Sequence, residues 1–218
     1  VLDRSNLDLA RELMESRFER VVFNRPVSVV RSIYFDTEKL ATCHANLDGV
    51  GRRNKVRLRW YDQPLPDQQV YFEVKWRRNL VTGKFRTPLT LQRPLADVSY
   101  QELRRGLQAV VPDSSQALAR IYDQPIVLVE YQREHFMCQE LGLRMTLDYD
   151  LVFYDQAGCL RPKLGIGISL PSLALIEAKS VPPAPRDLSR LLHPLGQRVS
   201  RCSKYVHGCA QIGRIPGS

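Results

Sequence analysis

Asn54-Lys55-Val56-Arg57-Leu58-Arg59-Trp60-Tyr61 is the stretch that decides the fold of this 218-residue chain. Polar and apolar residues alternate through it with period two, so it predicts a β-strand. Val56, Leu58 and Trp60 take one face, and Lys55, Arg57 and Arg59 the other. Moving outward, Val70 to Arg77 and Lys84 to Leu91 repeat the pattern. Glu73, Lys75 and Arg77 oppose Phe72, Val74 and Trp76, and Lys84 and Arg86 flank Phe85. Val27 to Asp36, Ile126 to Cys138, Leu143 to Phe153 and residues 172–180 complete the predicted strands. Arg133 shares a face with Tyr131 and His135, Arg144 with Thr146, Asp148 and Asp150, and Glu177 with Lys179.

Helices are predicted over residues 5–20, Thr37 to Asn46, 99–110, 115–122, 186–198 and 201–210. Ser5 is the expected cap of the first, with Asp8 at its third position. The stripe of Leu9, Leu13 and Met14 is expected to be core, as are Trp60 and Trp76. No repeat or linker divides the chain, and the proline-rich stretch 182–185 reads as a loop, so residues 1–218 are taken as one domain.

A net charge of +9 implies a polyanionic partner: nucleic acid, phosphorylated metabolites or an anionic membrane surface. Hydrophobic residues at 44% exclude extended disorder. No apolar run has the length of a membrane span, and Val1-Leu2-Asp3-Arg4 has no apolar signal region. A cytoplasmic protein is expected. The five cysteines and four histidines form no C-x-x-C pair or metal-spaced cluster. Zinc is therefore not expected, and any metal should be a hard cation on carboxylates.

Lysine and arginine are common on solvated strand faces, but like charges on neighbouring strands repel. Six such strands call for an anion or interleaved carboxylates. Alternation alone does not distinguish a closed cationic barrel from an open basic sheet.

Several motifs carry a family resemblance: Ser32-Ile33-Tyr34-Phe35-Asp36-Thr37, Lys55 through Tyr61, Phe72-Glu73-Val74-Lys75 and Lys84-Phe85-Arg86. Tyr131-Gln132-Arg133, Arg144 through Asp148, Leu175-Ile176-Glu177-Ala178-Lys179 and Ser203-Lys204-Tyr205 follow in order. The chain resembles the VTC domain, the polyphosphate polymerase branch of the triphosphate tunnel metalloenzymes, related to CYTH domains. The resemblance implies an α+β fold: an antiparallel β-barrel forming a triphosphate tunnel, with helices outside and a C-terminal helix closing the phosphate site.

It implies further that Lys55, Arg57, Arg59, Lys75, Lys84, Arg86, Tyr131, Arg133, Arg144 and Lys179 contact substrate, and that Glu177 binds Mn²⁺ or Mg²⁺. Ser203 and Lys204, with Arg201 one helical turn away, are the implied catalytic set. Lys204 steadies the attacking terminal phosphate, while Glu73 neutralises adjacent cations or supports the metal. The implied reaction moves the ATP γ-phosphoryl group to inorganic polyphosphate. A triphosphate hydrolase and a non-catalytic polyphosphate-binding module are the alternatives. No nucleic-acid motif is present, so nucleic acid is not an expected partner. The family's first strand is expected upstream, with Val1-Leu2 as its last residues.

Overall fold

A computed structural model describes residues 1–110, 113–140, 142–180, 193 and 200–216. The predicted loop at 182–185 and helix at 186–198 lie outside these residues. Along the chain come β1 (Leu2–Asp3), α1 (Leu7–Glu15), β2 (Glu19–Val21), β3 (Ser28–Asp36), α2 (Ala41–Leu47) and β4 (Arg52–Tyr61). Next are β5 (Gln69–Arg78), β6 (Val81–Thr90), α3 (Tyr100–Val110), α4 (Asp113–Ile121), β7 (Gln124–Cys138) and β8 (Leu143–Asp155). β9 (Ile168–Leu170), β10 (Leu173–Ser180) and α5 (Lys204–Gln211) close the series.

The hydrogen-bonded strand order is β1-β10-β8-β7-β3-β4-β5-β6, with β2 on β7 and β9 on β8. Every strand pair whose register is defined is antiparallel. The expected α+β class holds; among the described residues the sheet is not closed, so the expected barrel is not established. β1 contributes only two residues of pairing, Leu2 opposite Ala174 and Asp3 opposite Leu173, and β6 ends the other side.

The chain forms two compact units: Val1–Val29 with Glu130–Val152 and Ser169–Cys202, and Val30–Val129 with Phe153–Ile168 and Ser203–Ser218. In the first unit, Leu2, Leu7, Ala10, Met14, Phe136, Met145 and Leu147 make the core. Three expectations for α1 are corrected here. Asp3, not Ser5, is the capping side chain, accepting from the Ser5 amide at 2.8 Å at the start of a 3₁₀ turn over Arg4–Asn6. That turn rotates the following helix so that Leu7, Ala10 and Met14 face inward and Leu9 is exposed. The helix stops at Glu15, and Glu19–Val21 pairs with Met137–His135 as a strand. Behind it, buried Glu134 accepts from Arg11 Nη2 at 2.9 Å and Arg20 Nη2 at 2.7 Å. A buried carboxylate requires such partners, since desolvating an unpaired charge costs several kcal/mol.

In the second unit, the apolar faces of β3–β6 meet α3. Ile33, Val56, Leu58, Trp60, Phe72, Val74, Leu103 and Leu107 all join this core. Each of the larger side chains contributes about 1.5–3 kcal/mol by leaving water. Trp76 departs from expectation: it is only partly buried and lies on Gly83, its cross-strand partner. A Cβ at Gly83 would stand 2.1 Å from the indole, so only glycine admits the ring there.

Candidate functional site

Cross-strand register assembles the basic face of the second unit. Lys55 opposes Lys75, which opposes Lys84; one rung along, Arg57 opposes Glu73, which opposes Arg86. On the other side of β4, Tyr34 faces Arg57 and Ser32 faces Arg59. Directly paired residues share a face of an antiparallel sheet, so these side chains stand together, opposite the apolar core.

Glu73 is the hub of this face and is 1% exposed. Its carboxylate lies 2.7 Å from Arg57, 2.5 Å from Lys84, 3.5 Å from Arg86 and 3.8 Å from Arg59. Burial alone would raise its pKa, but Arg57, Arg59 and Lys84 outweigh that and hold it at about 2. Arg57 also donates to the Tyr34 hydroxyl at 2.9 Å, Arg59 to the Ser32 hydroxyl at 3.0 Å, and Arg86 stacks 3.7 Å over the Tyr71 ring. One carboxylate thus serves four cations, while the Lys55-Lys75-Lys84 rung has no acid within it.

The N-terminus of α5 reaches this face. Ser203 caps the helix through Val206 N and also accepts from Lys55 Nζ at 2.8 Å. Burial lowers Lys55 to a pKa of about 8, with Lys75 and nearby arginines acting in the same direction. Tyr34 also falls to about 8: burial opposes this, but the charges of Arg57, Arg59, Lys55 and Lys204 favour the phenolate. The Tyr34 ring stacks on Tyr205 at 5.2 Å, and Tyr205 donates to Asp36 at 2.7 Å. Asp36 in turn accepts from the Thr42 and Cys43 amides at the start of α2. Ser203 therefore meets the basic face through Lys55, and the Lys204 charge acts on Tyr34. Arg201 does not lie on the last helix, which starts at Lys204 because Ser203 takes the cap. Arg201 is exposed in the irregular segment before it.

The first unit carries a smaller mixed cluster. Arg133 grips Asp148 with two bonds of 2.6 and 2.7 Å and packs 5.2 Å over the buried Tyr131 ring. Glu177, 40% exposed, lies 3.9 Å from Arg133 and 3.4 Å from Lys179. Lys179 opposes Arg144 and Glu177 opposes Thr146 across β10 and β8. His135 meets Phe23 edge-on at 4.8 Å, and burial with the Arg133 charge holds it neutral, its pKa near 4.

Among the described residues no group of three or more His, Cys, Asp and Glu could hold a metal. Glu73 and Asp148 are committed to arginines and lysine. Glu177 is more open, and a single carboxylate suits Mg²⁺-type sites in which substrate phosphates complete the shell.

Sequence reasoning assigned no role to Ser32, Tyr34, Asp36 or Tyr71. Ser32, Tyr34 and Asp36 are the every-second polar residues of β3, the same signal that exposed the basic face of β4. Among the described residues, no helix is long and apolar enough to cross a membrane.

No curated protein matches this chain. Among solved structures, the PH1819 protein from Pyrococcus horikoshii OT3 is similar at 15% identity and a TM-score of 0.47, covering 92% of each chain. The VTC domain family matches residues 1–212, nearly the whole length, and the chain therefore belongs to the VTC domain family.

Proposed function

We propose that this VTC domain is a polyphosphate polymerase, transferring the γ-phosphoryl group of ATP to the end of an inorganic polyphosphate chain. The observation that carries this reading is the register of β4, β5 and β6. They gather Lys55, Arg57, Arg59, Lys75, Lys84 and Arg86 around the single acid Glu73. Family membership supports a polyphosphate-related function, and the cationic rungs are the matching chemistry.

Phosphoryl transfer asks a protein chiefly for position and positive charge. Arg57, Arg59 and Arg86 offer planar forks for phosphate oxygens, and Lys55, Lys75 and Lys84 offer point charges. Lys204 stands at the first turn of α5, beside this face, to steady the attacking terminal phosphate. Ser203 orients Lys55 through their hydrogen bond. In the other unit, Arg133 and Lys179, with Arg144 beside Lys179 in register, offer further phosphate contacts. Glu177 is the residue that would hold Mn²⁺ or Mg²⁺, which when bound neutralises phosphate charge.

The test is incubation with ATP, Mn²⁺ and a polyphosphate primer, followed by sizing of the products. Longer polyphosphate supports the proposal. Free phosphate without elongation replaces it with a hydrolase, and tight binding without turnover replaces it with a binding module.

A further inference from the structure

The β5–β6 hairpin carries a feature that phosphoryl transfer does not use. Arg78 opposes Val81, so Asn79-Leu80 forms a two-residue turn, with Asn79 at φ 56. Turn positions of this kind ordinarily take Gly, Asn or Asp. Here Leu80 is 92% exposed and Val81 62%. The loop after α2 lies against the turn, because Asn79 N donates to Gly51 O at 2.8 Å. Val50 in that loop is exposed, as is Leu47 at the end of α2. Immediately behind the apolar residues are four arginines in two like-charge pairs: Arg52 opposite Arg78 and Arg53 opposite Arg77. Like charges opposed across strands are unfavourable; Arg53 donates to Val50 O, Arg77 to Asn79 O and Arg78 to Asn54 Oδ1, and the one acid of the adjoining loop is exposed Asp48.

An apolar tip with a cationic collar matches one chemistry closely. Apolar side chains enter the acyl boundary of a bilayer while the bases behind them meet anionic headgroups. We propose that this hairpin end docks the protein on an anionic phospholipid surface, with Leu80 and Val81 inserted and Arg52, Arg53, Arg77 and Arg78 on the headgroups. An acidic peptide would satisfy the arginines but leave Leu80 without an apolar environment. The lipid surface satisfies both. The docking is peripheral, and it does not depend on the polymerase reading.

Vesicle flotation tests it, using the full chain with saturating tripolyphosphate so that the rungs around Glu73 are occupied. The vesicles are phosphatidylcholine alone, or phosphatidylcholine mixed with phosphatidylserine. The wild type should float with the mixed vesicles and remain behind with the neutral ones. Leu80→Asp should lower partitioning about tenfold, through lost insertion and added repulsion. Arg52→Gln/Arg78→Gln should lower it about twenty-five-fold, at about fivefold per basic residue. Both variants should keep wild-type circular dichroism and tripolyphosphate affinity, which separates lost docking from misfolding. Wild-type protein that fails to float overturns the proposal, as does Leu80→Asp floating like wild type. Binding of a polyglutamate peptide in a Leu80-dependent manner, without vesicle binding, assigns the surface to an acidic protein instead.

Discussion

Replacing Glu73 by glutamine removes one charge and almost no volume, so it isolates the electrostatic role of the hub. In the wild type the carboxylate titrates near pH 2, against an ordinary value of 4.5. A depressed carboxylate pKa contributes stability that is present above the unfolded value and is lost as pH falls through the folded one. The interval of two to three pH units corresponds to about 3 kcal/mol at neutral pH. Glu73→Gln should therefore unfold with a urea midpoint lower by about 1–3 M, for typical denaturant slopes. The gap should narrow to roughly half by about pH 3, where the wild-type unfolded chain is already protonated. Tripolyphosphate should restore the variant more than it stabilises the wild type, because it supplies the missing anion to Arg57, Arg59, Lys84 and Arg86. Saturation at a hundredfold excess over Kd adds about 2.7 kcal/mol by mass action alone, and tighter binding by the variant adds to that. Equal midpoints at pH 7, or a gap unchanged between pH 7 and pH 3, would refute the reasoning. Glu73 would then be a spectator in the cation cluster.

Four further outcomes are expected. Lys55 is half-deprotonated near pH 8 when free, and a bound polyanion favours its ammonium. Tripolyphosphate affinity should therefore fall by up to about tenfold per pH unit above pH 8, a slope that calorimetry should find flattened in Lys55→Arg. Glu177→Gln should cripple Mn²⁺-dependent turnover while polyphosphate binding stays intact or tightens. Full activity at low Mn²⁺ would remove Glu177 as the metal residue. Arg57→Ala or Arg59→Ala should weaken substrate binding by about 1.5–3 kcal/mol, whereas Lys204→Ala should lower turnover with little change in metal affinity. Separate titrations of metal and polyphosphate distinguish the three classes.

The long strands were legible because their alternation spans eight or more residues, and the same alternation exposed the basic face. Glu19–Val21 and Ile168–Leu170 were not, since three residues hold too little periodicity and only the neighbouring strand makes them extended. The first cap was misread because Ser5 and Asp3 are both competent. The choice falls to Asp3, whose carboxylate accepts from both the amide and the hydroxyl of Ser5. The inward set of α1 then shifted with it. Ser203, Lys204 and the basic rungs were named from motifs. The roles of Tyr34 and Asp36 were hidden, because their partner Tyr205 is remote in sequence. Whether the ladder closes was also outside what alternation encodes, since a strand's pattern specifies its faces and not its edge partners.

The bond between Tyr205 and Asp36 joins positions 169 residues apart, and that between Lys55 and Ser203 joins positions 148 apart. During synthesis the hairpins of β4–β6 emerge first, and ribosomes add roughly 5–20 residues per second. The basic face therefore waits on the order of five to thirty seconds for the residues that finish it. Until Ser203 arrives, Lys55 lacks its hydroxyl partner, and no lysine stands at the first turn of a docked α5. A chain interrupted before that point has no Lys204 to present. The last helix thus makes the basic face contingent on synthesis through α5, and on the proposed function a product terminated earlier would lack the lysine assigned to the attacking phosphate.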